Sequence, residues 1–422
     1  MKIYKILSVL FFPLIAFYIF LRLIKGKENK LRIKEKFGFA SIKKPQNTII
    51  WIHAVSVGET NSSLILVDEL LKINPKISIL FTTTTITSAS ILASKINDYQ
   101  GRVIHQFLPI DSYFVVKKFL KYWSPRAAIF VESEIWPNFI MTSRSLAIPS
   151  FLVNARISKK TFSRWKKARK IGINIFDYFA FIFAQSLEDK ERLKQLTNQE
   201  ILFYGNLKSQ AANLKYDEDE LKNLQEKIGA RKFWLAASTH KGEEEKIIAT
   251  HKKLKEKFRD LLTIIVLRHP PRADEVANLM ANINFAQRGK KQPITSETEI
   301  YLVDTLGELG LFYKMCDFAF IGGSLTQVGG HNPFEPIKLD CAIISGVNTF
   351  NFKEIYEKLA TTKSCEIVKN ENELCEIVDK FLSDETLPKS QLQSAKNVIK
   401  DNNEIAKRIV KKLDELLMFS EI

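Results

Sequence analysis

From about residue 47 onward, short apolar runs alternate with amphipathic stretches. The runs IIWIHAV (49–55), ISILFTT (77–83), VIHQFLP (103–109), AAIFVE (127–132), SFLVNA (150–155), FAFIFAQ (179–185) and ILFYG (201–205) have the length and side-chain character of buried strands. Between them, stretches such as SLILVDELLKI and SYFVVKKFLKYW repeat apolar residues at helical spacing. This alternation predicts a parallel sheet covered by helices on both faces. Residues 209–230 are polar and contain no apolar run, which predicts a linker and the helix opening a second half. A second series follows: FWLAAS (233–238), LLTIIVL (261–267), EIYLVD (299–304), FAFIGG (318–323) and CAIISG (341–346). The predicted fold is α/β, with two Rossmann-like, doubly wound domains facing a cleft at the carboxyl ends of both sheets, where such sheets bind ligands. A final helix over roughly 391–418 can pack back across the first domain.

The first residues follow a different pattern. ILSVLFFPLIAFYIFLRLI (6–24) is apolar except for Ser8 and Arg22, close to the length of a bilayer-crossing helix. A basic block follows: Arg22, Lys25, Lys27, Lys30, Arg32, Lys34 and Lys36. The run is long for a signal peptide and no small-x-small site closes it, which predicts an uncleaved membrane-anchor helix. The positive flank places the rest of the chain on the cytoplasmic side. Pro13 leaves two geometries open, a single span and a monotopic helix lying in one leaflet. The basic block also suits anionic inner-membrane lipids. The expected organisation is an anchor and flank over 1–35, a first domain over 36–208, the linker over 209–230 and a second domain over 231–422.

Composition narrows the partner. Against 47 Asp plus Glu stand 63 Lys plus Arg, a net charge of +16 that favours an anionic ligand or surface. The basic residues are scattered and form no finger or basic-region motif, so no nucleic acid is expected. Cys316, Cys341, Cys365 and Cys375 form no CxxC pair, which argues against a disulfide framework or zinc site.

Polar residues suited to chemistry cluster directly after the predicted strands. In the first half these are HAVSVGE, VESEIWPN, NARIS and GNLK. Glu59, in the first of them, has two readings: a first-turn acid complementing a helix dipole, or a carboxylate placed to take a proton from a substrate. The second half offers ASTHKGEEE, LRHPPR, DTLGELG and IGGSLTQVGGHNPFEP. In the last, a glycine-rich loop leads to Pro333 opening a helix. The loop and a bare helix N-terminus together suit phosphate. Glu335 in that first turn suits either a ribose diol or the helix dipole. Arg268 can meet the same phosphate, and His269 is either a ligand-binding or a satisfied loop histidine. Gly307, Glu308 and Leu309 begin a helix whose main chain can read a base edge, plain helix initiation being the alternative. The loop is neither GxxxxGK[ST] nor a GxGxxG opening the chain's first helix. No cofactor or metal is expected, since the acidic stretch YDEDE (216–220) lies in the linker. Departing phosphate would then be neutralised by helix N-termini, Arg268 and Lys208.

Taken in order, HAVSVGE, ESEIWPN, NARIS, AASTHKGEEE, RHP, DTLGEL, GGSLTQVGGHNPFEP and TFNFKEI resemble the lipopolysaccharide Kdo transferases of Gram-negative bacteria, Kdo being 3-deoxy-D-manno-octulosonic acid. The resemblance runs from about residue 36 to beyond 400. It implies a GT-B fold at the cytoplasmic face of the inner membrane. It also implies inverting, metal-independent transfer of Kdo from CMP-Kdo to a lipid A precursor, lipid IVA. By matching position, Glu59 is implied as the catalytic base, and Glu132 and Lys208 as stabilisers of the transition state. Arg268 with His269, Gly307, Glu308 and Leu309, and Asn332, Pro333, Phe334 and Glu335 are implied to hold CMP. Two departures stand out: Ser209-Gln210 replaces the family's usual Phe-Asp after GNLK, and Phe334 replaces a common leucine. Competing functions are a GT-B enzyme using a UDP-sugar, a glycoside hydrolase pairing Glu59 with Glu132 or Glu134, and a non-catalytic sugar-nucleotide binder.

Overall fold

The computed structural model describes residues 2–170, 174–210, 214–400 and 404–421. It divides into two compact units, Met1–Ala212 with Asn402–Ile422, and Asn213–Asp401. Residues 211–213 of the expected linker and 401–403 of the expected final helix lie outside the described residues.

In the first unit, seven parallel strands are described: β1 (Thr48–His53), β2 (Ile77–Thr83), β3 (Val103–Phe107), β4 (Ala127–Val131), β5 (Ser150–Ala155), β6 (Phe181–Ala184) and β7 (Ile201–Phe203). Their order is β3-β2-β1-β4-β5-β6-β7. Helices cover both faces, so the central strands are apolar throughout rather than alternating. Trp51 of β1 anchors one face, its ring centroid 5.1–5.3 Å from those of Phe119, Phe130 and Phe139. The order reverses between β1 and β4, the position where open α/β sheets bind ligands.

The expected single anchor helix is two helices, α1 (Lys2–Leu10) and α2 (Phe12–Ile24), bent by 51°. Pro13 is the reason: it has no N–H to donate to the carbonyl four residues back, and it sits instead in the first turn of α2. No single helix among the described residues is long and apolar enough to cross a membrane, although this bent pair meets the requirement jointly. Leu14, Phe17, Phe20 and Ile24 of α2 are exposed.

The basic block divides too. Arg22 pairs with buried Glu28 at 2.6 Å, Arg32 with buried Glu35 at 2.8 Å, and Lys36 is itself buried. Lys25, Lys27, Lys30 and Lys34 face solvent.

The second unit has seven described parallel strands: β8 (Phe233–Thr239), β9 (Leu262–Leu267), β10 (Phe285–Gln287), β11 (Ile300–Val303), β12 (Phe318–Ile321), β13 (Ala342–Gly346) and β14 (Glu366–Val368). Their order is β10-β11-β9-β8-β12-β13-β14, with the switch between β8 and β12. The two strands the apolar pattern does not predict, β10 and β14, are three-residue edge strands. The linker helix Glu218–Ile228 is capped by Asp217 and buries Leu224 and Ile228.

The expected final helix is also two helices. Thr386–Ile399 contributes Ala395 and Val398 to the second unit's core. Ile405–Leu417 buries Ile405, Ala406, Ile409, Val410 and Leu413 in the first. Each segment carries its own apolar stripe, directed at a different core.

Candidate functional site

In the first unit, β1 delivers the chain to Ser56, the N-cap of a helix here labelled α3 (Val57–Ile73). Ser56 Oγ accepts the Glu59 N–H at 3.2 Å, while Glu59 Oε2 accepts the N–H groups of Val55 at 2.8 Å and Ser56 at 3.4 Å. This is a capping box, which fixes the rotamer of Glu59 and satisfies backbone donors at the helix start. The helix-start reading of Glu59 is therefore realised. The same geometry holds its carboxylate at the switch point. Burial pushes the Glu59 carboxyl above the ordinary carboxylate range, and the charges of Glu132 and Glu134 push it further.

Glu132 follows β4 with φ at +58°, a left-handed conformation uncommon outside glycine. Its buried carboxylate meets Lys208 Nζ at 2.6 Å. A side chain at Gly58 would lie 4.0 Å from Lys208 Cε, so the lysine passes beside the start of α3. Asn154, near the end of β5, also has a positive φ of +55°. Its Oδ1 accepts the Leu207 N–H at 3.0 Å, and its Nδ2 faces Glu132 Oε1 at 3.5 Å and Gln185 Oε1 at 3.4 Å. Asn154 thus ties the segment carrying Lys208 to the strand end carrying Glu132. Glu134 accepts from Trp136 Nε1 at 2.7 Å and stands 3.5 Å from His53 Nε2.

In the second unit, buried Glu243 accepts four backbone N–H groups: His240 at 3.0 Å, Gly323 at 2.7 Å, Ser324 at 3.0 Å and Leu325 at 2.9 Å. It joins the loops following β8 and β12 across the switch point. Gly322 is required there, because a Cβ would overlap the Ser238 carbonyl oxygen. His240 and His331 stack with Nε2 atoms 2.9 Å apart, and the His269 ring lies 5.3 Å from that of His240. Burial, with the charge of Arg268 adding to it, pushes the His331 imidazole down to about 3 and His240 below its usual range. Both rings are therefore neutral near pH 7, and one donates to the other.

Asn332 Oδ1 accepts the Phe334 N–H at 3.0 Å, and its Nδ2 donates to Glu335 Oε1 at 3.1 Å. The helix N-terminus expected to be bare is thus capped by Asn332, and the helix itself is only Phe334–Lys338, with Pro333 just before it. Burial raises the Glu335 carboxyl, against the pull of Asn332 and the positive charges of Arg268 and Lys338. Pro333 and Phe334 are buried. Gly307 has a φ of +88°, and Leu309 begins the helix Leu309–Met315, which packs beside Phe334–Lys338. Glu308 is bound by Thr305 and by Arg288, whose Nε lies 2.7 Å away and whose Nη1 also reaches Glu220 at 2.9 Å.

The structure brings Glu59, Glu132 and Lys208 together in the first unit. In the second it gathers Arg268, His269, Asn332 and Glu335 around the His240–His331 pair. Sequence reasoning assigned no role to Asn154, Glu243, His240, His331 or Arg288. Glu243, His240 and His331 lie in polar motifs directly after strands and Asn154 lies in the motif that overlaps the end of β5, so their segments were visible although their partners were not. Arg288 follows β10, a strand that left no apolar signal.

Residues 31–211 match the family described as 3-deoxy-D-manno-octulosonic-acid transferase (kdotransferase). The chain is 33% identical over 420 residues to the 3-deoxy-D-manno-octulosonic acid transferase of Rickettsia bellii, covering 99% of this chain and 98% of that one. It is 35% identical over 362 residues to the enzyme of the same name from Haemophilus influenzae, covering 82% of each. Among solved structures it is similar to UDP-GlcNAc 2-epimerase from Neisseria meningitidis, with a TM-score of 0.61 over 87% of this chain and 100% of that one. At 12% identity that likeness concerns the GT-B-like pair of α/β domains alone. The chain belongs to the 3-deoxy-D-manno-octulosonic acid transferase family and is a Kdo glycosyltransferase of lipopolysaccharide biosynthesis.

Proposed function

We propose that the chain moves Kdo from CMP-Kdo to a lipid A precursor, lipid IVA, with inversion at the anomeric carbon and without a metal. Glu59 takes the proton of the acceptor hydroxyl as its oxygen bonds to the anomeric carbon, and the bond from that carbon to the CMP phosphate oxygen breaks. The Glu132 carboxylate offsets positive charge developing on the sugar, and Lys208 holds Glu132 in place while balancing the Kdo carboxylate. In the second unit, Arg268 and His269, the turn Gly307–Glu308–Leu309 and the segment Asn332–Pro333–Phe334–Glu335 hold CMP. Arg268 takes up the charge of the departing phosphate. Lys208 and Arg268 supply the positive charge that a divalent ion supplies elsewhere.

The observation that carries this reading is the placement of Glu59. It is locked by a capping box, half-buried, and faces the 2.6 Å Glu132–Lys208 ion pair. Its raised proton affinity is what a base working near neutral pH needs. The exposed apolar residues of α1 and α2 support seating in the inner membrane, as a bent span or within one leaflet. Both units then lie on the cytoplasmic side, and Lys25, Lys27, Lys30 and Lys34 meet anionic lipid.

The test is a transfer assay with lipid IVA and CMP-Kdo generated in situ, read by intact mass for wild type and Glu59→Gln. The expected result is product heavier by whole Kdo units with wild type, and at least a thousandfold less with the mutant. Near-normal turnover by Glu59→Gln would leave Glu59 with its helix-capping role alone.

A further inference from the structure

Between α1–α2 and the carboxyl edge of the first sheet lies a cavity of about 720 Å³, within the range of sites that hold small ligands. Leu7, Phe11, Ile15 and Ile19 line it on the helix side, with Leu108 and Ile110 among the residues opposite. Its charged lining groups are already paired. Asp111 accepts from Tyr4 Oη at 2.9 Å and from the N–H groups of Asn138 and Phe139 at 3.3 and 3.1 Å. Arg22 pairs with Glu28, Lys36 Nζ donates to the Thr84 carbonyl at 3.3 Å, and Glu134 is held by Trp136. A polar ligand would have to break these contacts, and an apolar chain would not. The cavity also reaches the backbone that holds the base: Val55 lines it, and the Val55 N–H is the 2.8 Å donor to Glu59 Oε2.

We infer that this cavity holds one acyl chain of the lipid acceptor, placing the acceptor's sugar hydroxyl at Glu59. The inference rests on the acceptor assignment above. Three observations select that occupant. The wall facing away from the sheet is built from helices whose outer faces are exposed and apolar, so a chain can enter from a bilayer. The charged groups of the lining are engaged with one another, with the backbone or with Trp136. And the end at Val55 and Glu134 adjoins Glu59, where the acceptor must react. The cavity then acts as a positioning site, converting burial of methylenes into alignment of the attacking oxygen.

The experiment uses the full-length chain in detergent micelles with two acceptors, tetraacylated lipid IVA and its fully deacylated disaccharide. Ile15→Trp fills the cavity from the peripheral helix. It is expected to lower the ratio of kcat/KM for lipid IVA over the deacylated acceptor by tenfold or more. In parallel, lipid IVA carrying a diazirine at one acyl terminus, photolysed on wild-type protein, is expected to label α1, α2 or residues 108–110. A ratio within twofold of wild type, or label confined to other segments, overturns the inference. Failure of wild type to transfer Kdo to either acceptor instead removes the acceptor assignment, and the inference with it.

Discussion

Glu132 adopts its left-handed backbone at the end of β4 while its carboxylate meets Lys208 and raises the proton affinity of Glu59. A non-glycine residue held this way costs on the order of 1–3 kcal/mol, which the surroundings must offset. The sign of its coupling to Glu59 gives a prediction. A negative charge nearby disfavours ionisation, so Glu132→Gln lowers the Glu59 pKa and moves the acidic limb of kcat/KM to lower pH, alongside a large fall in rate. A pH profile of the residual activity reads this, and a limb that stays in place would uncouple the two carboxylates. Asn154 separates backbone from side chain. Asn154→Ala loses its contacts to Leu207 and Glu132 and strains a +55° φ, whereas Asn154→Gly loses the contacts alone. Both are expected to lower kcat alike, while only the alanine variant costs roughly 1 kcal/mol or more of additional stability in denaturant titration. Glu59 was legible in the sequence because SVGE follows a strand. Asn154 was not, because its importance lies in a φ value and in a partner 53 residues away.

At the level of elements, Glu243 decides whether the loops after β8 and β12 hold together. Three consecutive glutamates follow Gly242, and nothing in their order says which turns inward. In the structure Glu243 and Glu244 are buried and Glu245 is exposed. Glu244 pairs with Arg272 at 2.8 Å, leaving Glu243 as the acceptor for four backbone N–H groups. Glu243→Gln replaces one accepting oxygen by an NH₂ that faces N–H donors, so the glycine loop must shift. The expected outcome is a loss of CMP affinity of at least tenfold by calorimetry, and unchanged binding would show that the loop's position does not matter to the nucleotide. The strands themselves were largely legible, because a parallel sheet buried on both faces imposes long apolar runs. β10 and β14 escaped because a three-residue edge strand needs no such run. The break between α1 and α2, with its 51° bend, was foreshadowed by Pro13.

The chain leaves the first unit near residue 210 and returns to it after the second unit is complete. The return is tied at its start: the Ala406 N–H donates to Gln210 Oε1 at 2.6 Å. Gln210 is half of the Ser-Gln pair that departs from the family's usual Phe-Asp, and the structure gives that departure a task, capping the C-terminal helix Ile405–Leu417. The helix was visible in the sequence as an apolar period, but its allegiance was not, since two helices in succession carry similar stripes toward different cores. Burying Ile405, Ile409, Val410 and Leu413 is worth about 1.5–3 kcal/mol each. The sum, an upper bound of roughly 6–12 kcal/mol, is comparable to the whole stability of a typical domain. A chain ending at residue 404 should therefore lose amide-exchange protection in β1, β4 and β5, while β8, β9 and β12 keep theirs. Ile409→Asp, which buries a charge at the centre of the stripe, should do the same without shortening the chain. Equal loss in both sheets would mean that the helix stabilises more than the core it fills. Retention in both would mean that the first sheet closes its core without it.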